Sequence, residues 1–364
     1  MDSVGLTKMF GKKNKPFFVA EISSNHNGNF NYAKKLIADA KKYGANAVKL
    51  QTYTPSSMTV NSNKKYFKIT KGLWKGYNLW KLYQNANTPY TWHKKLFSYG
   101  KKIGIKVFST PFDEKAVDFL ETLNCPFYKI SSFEMNDYPL IKKISLTKKP
   151  IIISTGMSSL EEISKTFYAA KKFGIKKISL LYCVSNYPSK NSDFNLHNIQ
   201  IMKKKFKCEI GFSDHSNDFR IAAAAVDSGA TIVEKHISLK KVRSLDYDFS
   251  IYGEQISEYK KKLNNFKFTK QDKKFCKLVL GKKFFFRNKS ENHSKTFRRS
   301  IFVIKKIKKG DFFSKSNIKR IRPGFGVSPK YYDSIIGKKS RINIKENEPF
   351  TKKHLIRNKI LLMK

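Results

Sequence analysis

The sequence predicts a (β/α)8 barrel, the TIM-barrel architecture, followed by a small β-rich domain. Eight apolar, strand-like runs occur up to Ile237, and amphipathic helical patterns separate most of them. Such a helix is long enough for a right-handed crossover, which makes successive strands parallel neighbours. Beyond residue 297 the pattern changes to short β-like runs with Gly and Pro turns. Eight strand–helix units favour a closed barrel over an open doubly wound sheet.

The elements of the predicted barrel follow one another in a regular order. The strand-like runs are FFVAEIS (17–23), AVKLQTY (47–53), KVFSTPF (106–112), FYKIS (127–131), PIIISTG (150–156), ISLLYC (178–183), EIGFSDH (209–215) and TIVEKHI (231–237). Many helical patterns end in Gly or Asn, as helix C-termini often do. These patterns are NYAKKLIADAKKYG, WHKKLFSYGKKIG, EKAVDFLETLN, SLEEISKTFYAAKKFG, LHNIQIMKKKF and IAAAAVDSGA.

The chain divides into three parts by pattern. We assign residues 1–265 to the barrel domain, 266–296 to a linker whose FFF run something should cover, and 297–364 to the small domain. About 60 residues are few for independent stability, so the small domain should pack on the barrel or on a partner subunit. The longest insertion, residues 54–90, follows the second strand and is predicted to lie over the C-terminal rim as a lid.

Composition excludes several classes of protein. No apolar run reaches the length of a membrane helix, and the basic N-terminal segment MDSVGLTKMFGKKNK is not followed by a signal-peptide pattern. The four cysteines are scattered without a CxxC pair, so we expect neither a zinc ribbon nor a disulfide framework. A reducing, cytoplasmic location fits this cysteine usage.

The net charge of +47 is extreme for 364 residues. Nucleic-acid binding is one explanation, and an AT-rich coding background that enriches Lys, Asn, Ile and Phe is the other. The lysines are spread over the whole chain instead of forming one stripe, so we expect no specific nucleic-acid partner. The field would still attract small anionic substrates.

Side-chain alternation places polar residues inside the predicted barrel. In AVKLQTY, Val48 and Leu50 suit the helix layer, so Lys49 and Gln51 should point inward. Such an interior is costly unless it binds something polar, although an internal ion-pair network is the alternative. The same test points Glu21, Lys129, Ser154, His215, Glu234 and His236 inward, and Asp214 and Lys235 outward.

Two of these residues, His215 and His236, end neighbouring strands. Parallel neighbours end at the same rim, so the two imidazoles could reach one small cation or one anionic ligand. The alternative is that each histidine only closes its strand with a hydrogen bond. The residues alone leave both possibilities open.

Several motifs together resemble the nonulosonate (sialic acid) synthase family. They are AEISSNHNG, AVKLQTY, FSTPFD, YKISSFE, ISTGMSSLEEI, GFSDHS and EKHISL, and RRSIFVIKKIKKGDFFSKSNIKRIRPGFGVSP resembles the antifreeze-like (SAF) domain that ends these enzymes. The resemblance runs in order from about Phe17 to Leu355. It implies condensation of phosphoenolpyruvate with an N-acetylated amino-sugar aldehyde by a barrel carrying an SAF domain of β-clip fold.

One segment, KGLWKGYNLWKLYQNANTPYTWHKKLF, is similar to the pseudaminate branch of this family. The chain also has KISSFE where N-acetylneuraminate synthases tend to have KIGSGE, and Ser185 where they carry Asn. The branch implies a 6-deoxy diacetamido hexose as the sugar. N-acetylneuraminate or legionaminate synthesis is the alternative within enzymes, and a carbohydrate- or ice-binding protein acting through the SAF domain is the alternative outside them.

The resemblance also implies roles for individual residues. A divalent cation, Mn²⁺ or Mg²⁺, would be held by His215 and His236, which would serve catalysis together with Glu21 and Glu134. Arg322 would come from the SAF domain of the other subunit in a homodimer. Phosphoenolpyruvate would be bound by Lys49, Thr110, Lys129, Ser132, Ser154 and Ser185, and the sugar by Gln51, Tyr187, Asp246 and Arg322.

Overall fold

The computed structural model describes residues 11–12, 15–265 and 268–355. Eight parallel strands, β2 to β9, close into a barrel because β2 pairs with both β3 and β9. This closure confirms the predicted (β/α)8 architecture. The strands are β1 (Gly11–Lys12), β2 (Lys15–Glu21), β3 (Ala47–Thr52), β4 (Lys106–Pro111), β5 (Tyr128–Ile130), β6 (Ile151–Ser154), β7 (Ile178–Cys183), β8 (Glu209–Asp214), β9 (Ile232–Ser238), β10 (Ile251–Tyr252), β11 (Ser300–Val303), β12 (Ile318–Ile321) and β13 (Glu348–Pro349).

Helices cover the outside of the barrel and bury apolar faces on its strands. The helices of the described residues are α1 (Phe30–Lys42), α2 (Pro55–Met58), α3 (Leu79–Ala86), α4 (Tyr90–Ile103), α5 (Glu114–Thr122), α6 (Tyr138–Ser145), α7 (Leu160–Lys172), α8 (His197–Phe206), α9 (Phe219–Asp227), α10 (Glu254–Asn265), α11 (Lys273–Leu280) and α12 (Tyr332–Ile335). Of these, α2 and α3 lie in the 54–90 insertion and α12 lies in the small domain. Short 3-10 turns are Lys65–Phe67, Ser132–Glu134, Asn191–Asp193, Tyr247–Phe249, Lys270–Asp272, Lys289–Phe297, Pro329–Tyr331 and Lys352–His354.

Local sequence explains where these helices begin and end. The side chain of Asn29 caps α1, and the buried residues of this helix recur at intervals of three or four. Gly104 ends α4 in the left-handed conformation, with φ of 71°. At the start of α7, Ser159 and Glu162 form a capping box with each other's backbone. These capping residues are visible in the sequence, which explains why the helical patterns predict the outer helices well.

Every predicted barrel strand agrees with the structure to within about two residues at either end, a normal uncertainty for strand boundaries. The prediction from ISLLYC coincides with β7, Ile178–Cys183. The sequence patterns predict no helix between β5 and β6, where the structure has α6. Its sequence YPLIKKIS covers only eight residues and has a proline in the first turn, so the periodic signal is short.

The outward placement of Asp214 and Lys235 is also found in the structure. Lys235 Nζ lies 3.4 Å from Asp214 Oδ2, and the hydroxyl of Tyr259 on α10 donates to the same carboxylate at 2.8 Å. All three side chains are buried between strand and helix. A buried charge pair needs such additional hydrogen bonds, which explains why two charged residues can face the helical layer.

The small domain contains a three-stranded antiparallel sheet in the order β12–β11–β13. Its own apolar core includes Ile301, Val303, Phe313 and Phe350. The inner ends of β11 and β12 face the barrel, where Phe302 and Ile321 join a second apolar cluster. The predicted end of this domain at residue 364 and the N-terminal residues 1–10 lie outside the described residues.

The insertion of residues 54–90 lies between the barrel rim and the small domain. Met58, Phe67 and Leu82 from the insertion pack with Phe112 and Phe133 from the barrel loops, in the cluster that also holds Phe302. The position over the rim agrees with the prediction from sequence. Movement of this segment as a lid stays a prediction.

Residues 266–296, which we interpret from sequence as a linker, contain ordered structure against the barrel. Helix α11 lies within this range, and Val279 is buried in the barrel core. Of the FFF run, Phe284 is 61% exposed, so the expectation that the run is covered is wrong for this side chain. None of the helices in the described ranges is both long and apolar enough to cross a membrane.

Candidate active site

A cavity of about 140 Å³ lies at the carboxyl ends of the barrel strands. Parallel barrels place their sites at this end, because the loops that follow the strands meet there. Glu21, Thr110, Glu134 and Ser185 are buried outside the cavity lining. Ten of the residues predicted from sequence line it: Lys49, Gln51, Lys129, Ser132, Ser154, Tyr187, His215, His236, Asp246 and Arg322.

Four charged side chains form a buried chain across the barrel interior. Lys49 Nζ lies 2.9 Å from Glu21 Oε2 and 3.2 Å from Glu234 Oε1. Lys129 Nζ lies 2.8 Å from Glu234 Oε2. The ion-pair network that we considered as the alternative therefore exists. Its two ammonium groups also border the cavity, so the network can hold cationic donors ready for an anion.

Burial and neighbouring charges set the protonation of this network. Burial lowers the pKa of Lys129 to about 8, against the opposing effect of Glu234. Burial also opposes the charge of Lys49, but the carboxylates of Glu21 and Glu234 outweigh it and raise the pKa of Lys49. Burial raises the pKa of Glu21, whereas the two lysines overcome burial and lower the pKa of Glu234. Glu234 is thus the permanent carboxylate of the group.

The two predicted histidines meet at one side of the cavity, with ring centroids 5.6 Å apart. His215 Nδ1 lies 2.8 Å from the carbonyl oxygen of Val184, so its Nδ1–H donates and Nε2 keeps its lone pair. His236 Nδ1 is buried without a hydrogen bond and lies 3.6 Å from Asp246 Oδ2. Burial lowers the pKa of His215 to about 4 and the pKa of His236 well below its usual value.

These two imidazoles fit a divalent cation. Both are neutral, which is the form of histidine that binds metals, and the buried Nδ1 of His236 has no other partner. Within the described ranges no group of three or more His, Cys, Asp and Glu side chains is arranged to hold a metal. The protein would therefore supply two nitrogen ligands and leave the other positions to oxygen atoms of substrate and water.

Several hydroxyl groups lie at or just after the ends of β4, β5, β6 and β7. Ser132 Oγ accepts a hydrogen bond from the backbone N–H of Gly156 at 3.0 Å. The hydroxyls of Thr110 and Ser185 are buried without a hydrogen-bond partner in the described structure. A Cβ atom on Gly156 would overlap Ser185 Oγ, so only glycine fits there. Unpaired hydroxyls beside ammonium groups suit a phosphate or a carboxylate.

Glu134 is held by two arginines of the small domain. Arg322 donates to its carboxylate at 2.8 to 3.0 Å, and Arg299 Nε donates at 3.2 Å. The guanidinium of Arg322 also lies over the ring of Phe133, 4.7 Å from its centroid. The sequence predicts that Arg322 serves another subunit. In this single chain it lies in the mouth of its own barrel, because residues 282–297 pack along that barrel.

The remaining predicted residues of the lining contact the charged network and the histidines. Gln51 Nε2 donates to Glu21 at 3.0 Å and to the hydroxyl of Ser23 at 2.9 Å. The ring of Tyr187 lies 4.5 Å from that of His215. Burial raises the pKa of Asp246, although hydrogen bonds from serine hydroxyls oppose this. The lining of the cavity also includes the apolar residues Leu82, Ala86, Phe112, Phe133 and Leu245.

The sequence matches the NeuB family over residues 36–274 and the SAF domain over residues 298–356. The chain belongs to the NeuB family. A pseudaminic acid synthase of Campylobacter jejuni is 40% identical over 337 residues, which cover 92% of this chain and 95% of that protein. A pseudaminic acid synthase of Helicobacter pylori is also 40% identical, over 92% of this chain and 96% of that protein.

Other relatives are less similar. An N,N'-diacetyllegionaminic acid synthase of Campylobacter jejuni is 34% identical over 92% of this chain and 98% of that protein. The crystal structure of the spore coat polysaccharide biosynthesis protein SpsE of Bacillus subtilis superposes with a TM-score of 0.79 at 26% identity, and covers 93% of this chain and 95% of that chain. The barrel and the small domain are therefore both features of the NeuB relatives.

Sequence reasoning missed several contributors to this NeuB site. Ser213 donates to Glu234 at 3.0 Å and lies on the same face of β8 as His215, so alternation could have found it. Alternation does point Glu234 inward, but the sequence gives it no role. Ser23 lies two residues after Glu21 in the predicted strand, so alternation could also have found it. Arg299 gave no signal, because its importance depends on a contact between distant parts of the chain.

A larger cavity of about 900 Å³ lies elsewhere, between the 54–90 insertion and the small domain. None of the site residues predicted for a NeuB enzyme lines it. Lysines are prominent on its walls, as expected for a surface of a chain with a net charge of +47. The smaller cavity, where the buried charges and imidazoles meet, is the candidate active site.

Proposed function

We propose that this chain condenses phosphoenolpyruvate with 2,4-diacetamido-2,4,6-trideoxy-altrose to give pseudaminic acid and phosphate. The observation that carries the chemistry is the convergence of two buried lysines and two neutral imidazoles on one cavity at the barrel mouth. The choice of sugar is supported by 40% identity to pseudaminic acid synthases, against 34% to a diacetyllegionaminic acid synthase.

Phosphoenolpyruvate carries a phosphate and a carboxylate, so its binding needs cations and hydrogen-bond donors. We assign Lys49 and Lys129 to these charges, with the hydroxyls of Ser132 and Ser154 on the same wall. Thr110 and Ser185 have buried hydroxyls without partners, and a small shift of either side chain adds a donor. The Lys49–Glu234–Lys129 group keeps both lysines in place before the anion arrives.

His215 and His236 would hold a divalent cation, Mn²⁺ or Mg²⁺, through their ring nitrogens. When bound, such a cation makes the sugar aldehyde more electrophilic by polarising its oxygen. His215 is oriented for this by its hydrogen bond to the carbonyl of Val184. Asp246 Oδ2 lies 3.6 Å from Nδ1 of His236, on the side of the ring where that nitrogen has no hydrogen bond.

The methylene carbon of phosphoenolpyruvate forms the new bond to the aldehyde carbon, and the aldehyde oxygen takes a proton. Positive charge then develops at the carbon that carries the phosphate oxygen, and water adds there. Loss of phosphate by C–O cleavage leaves the 2-keto acid. Glu134 and Glu21 are the carboxylates for charge stabilisation and proton transfer. Burial raises the pKa of Glu21, and its ion pair with Lys49 opposes this effect.

The sugar would be bound by Gln51, Tyr187, Asp246 and Arg322, which line the same cavity. A 6-deoxy sugar presents a methyl group where other substrates have a hydroxyl. The apolar side formed by Leu82, Ala86 and neighbouring rings matches such a methyl group, because an unpaired hydroxyl would be costly there.

The test is release of phosphate from phosphoenolpyruvate by purified protein with Mn²⁺ and each candidate sugar in turn. We expect turnover with the diacetamido altrose and little with N-acetylmannosamine or its diacetamido analogue. Turnover with N-acetylmannosamine and none with the altrose would overturn the choice of sugar. Sugar binding by the isolated SAF domain without any turnover would instead favour a carbohydrate-binding protein.

We further propose that the working form is a homodimer in which the small domain of each chain serves the site of the other. In this single chain, Arg322 of the small domain contacts Glu134 of the barrel. If two chains exchange their small domains, the same contact forms between the chains. The cavity of about 140 Å³ is smaller than the ~300 Å³ at which ligand pockets begin, so the site has to open to admit both substrates.

A further inference from the structure

Two charged side chains from the segment after α11 are buried at the ends of β6 and β7. Glu291 is 2% exposed, and the side chain of Arg287 is 12% exposed. Charged groups are buried this deeply only when hydrogen bonds or opposite charges compensate them. Their hydrogen-bond partners are therefore informative, and these belong to the end of β7 and to the loops that follow β6 and β7.

Arg287 ties the two strand ends together through backbone carbonyls. Its guanidinium donates to the carbonyl of Thr155 at 2.5 Å, of Cys183 at 2.6 Å and of Ser158 at 3.1 Å. The planar fork of arginine can reach three acceptors in fixed directions, which a lysine cannot do. Arg287 thus fixes the distance between the loop after β6 and the last residue of β7.

Glu291 holds the same two loops through their N–H groups. Its Oε1 accepts from Ser185 N at 2.8 Å and from Met157 N at 2.9 Å. Ser294 Oγ donates to the carbonyl of Ser185 at 2.5 Å. Both backbone groups of Ser185 are therefore fixed by the segment that follows α11.

These contacts determine where the hydroxyl cluster lies. Ser154 ends β6 and Ser185 follows β7, so the clamped loops carry both side chains. Gly156, beside Met157, donates to Ser132 Oγ at 3.0 Å and leaves no room for a side chain next to Ser185. A shift of either loop would move these hydroxyls relative to Lys129.

We propose that Glu291 and Arg287 are positioning residues for the phosphoenolpyruvate site. They do not line the cavity; they act by fixing the β6 and β7 loops. These loops set the positions of the Ser132 and Ser154 hydroxyls, which line the cavity, and of the Ser185 hydroxyl, which is buried beside Gly156. This inference rests on the proposed function for the identity of the anion. It gives the segment between barrel and small domain a part in substrate binding.

The test compares Glu291→Ala with Glu291→Gln and measures phosphoenolpyruvate binding by calorimetry, steady-state kinetics and thermal unfolding. We expect Glu291→Ala to weaken binding and raise KM for phosphoenolpyruvate by about 10- to 100-fold, the range typical of supporting residues, with kcat little changed. Glu291→Gln keeps an oxygen for both N–H donors and should bind nearly as wild type. Asn292→Ala, exposed on the same turn, is the matched control.

Arg287→Lys provides a second variant if Glu291→Ala does not fold, and it should show the same rise in KM. Unchanged binding in folded Glu291→Ala or Arg287→Lys would overturn the inference. A loss in kcat at unchanged KM would overturn it as well. Calorimetry needs no sugar. A wild-type protein that binds phosphoenolpyruvate but turns over no sugar would therefore disprove the proposed function without contradicting this inference.

Discussion

At the scale of single residues, His236 makes the most direct prediction. Replacing it with Ala removes one of the two imidazoles, and we expect turnover to fall by more than about 100-fold, because even indirect supports of a metal ligand contribute 10- to 100-fold. Calorimetric titration with Mn²⁺ should show weakened binding. His197→Ala, whose ring contacts the carbonyl of Leu280 far from the cavity, is the control. Full activity in His236→Ala would exclude a role in metal binding.

The protonation of Lys129 should determine how the activity depends on pH. Its pKa is lowered to about 8, so its ammonium is charged below that pH and neutral above it. Since the charged form attracts phosphoenolpyruvate, kcat/KM for this substrate should fall as pH rises through about 8. The measurement is a pH profile of kcat/KM for wild type and Lys129→Arg. Arginine stays charged, so its profile should lack this fall, and an identical fall would assign it to another group.

The inward residues could be predicted because alternation along a strand is a local property. Lys49, Gln51, Lys129, His215 and His236 all line the cavity for this reason. Contacts between distant segments of the chain produce no periodic pattern in the sequence. The clamp of Arg322 and Arg299 on Glu134 therefore needed the structure.

At the scale of elements, Gly156 in the turn between β6 and α7 should affect both the stability of the protein and its binding of phosphoenolpyruvate. Gly156→Ala would place a Cβ atom in overlap with Ser185 Oγ and 3.0 Å from Ser132 Oγ. We expect a loss of roughly 1–3 kcal/mol in the free energy of unfolding, as in other overpacked sites, and a raised KM for phosphoenolpyruvate. Denaturant unfolding and steady-state kinetics measure the two effects.

Gly310→Ala is the matched control for this element. Gly310 lies in the small domain with a positive φ of 91°, and a Cβ atom added there would meet no other atom within 4 Å. This variant should lose stability from backbone strain while its KM stays unchanged. A normal KM in Gly156→Ala would contradict the packing of hydroxyls around this turn.

Strands and long helices were predictable because their apolar patterns repeat several times. Helix α6 was not, since eight residues allow only two turns of that pattern. The segment after α11 looked like a linker because Lys, Asn and Ser dominate it. This segment is fixed on the barrel by two buried side chains, Arg287 and Glu291. The amino-acid composition does not show that these two side chains are buried.

At the scale of the whole molecule, the small domain completes the site. The barrel provides Glu134 and the small domain provides Arg322, and both side chains are buried only because the two domains meet. Removing Glu134 leaves two buried guanidinium groups without their carboxylate, and removing Arg322 leaves Glu134 with Arg299 alone, so either change unbalances the buried charges of the site. Glu134→Gln and Arg322→Ala should therefore each be nearly inactive as pure proteins.

Mixing these two variants tests whether the domain is exchanged between chains. In an exchanged dimer, one Glu134→Gln chain and one Arg322→Ala chain together form one intact site and one doubly altered site. Half of the dimers in an equal, co-expressed mixture are of this kind, so we expect about a quarter of the wild-type activity per chain. Dimer formation in the mixture is measured by light scattering. A mixture that forms normal dimers but stays inactive would show that each chain keeps its small domain on its own barrel, in the arrangement that places Arg322 against Glu134 here.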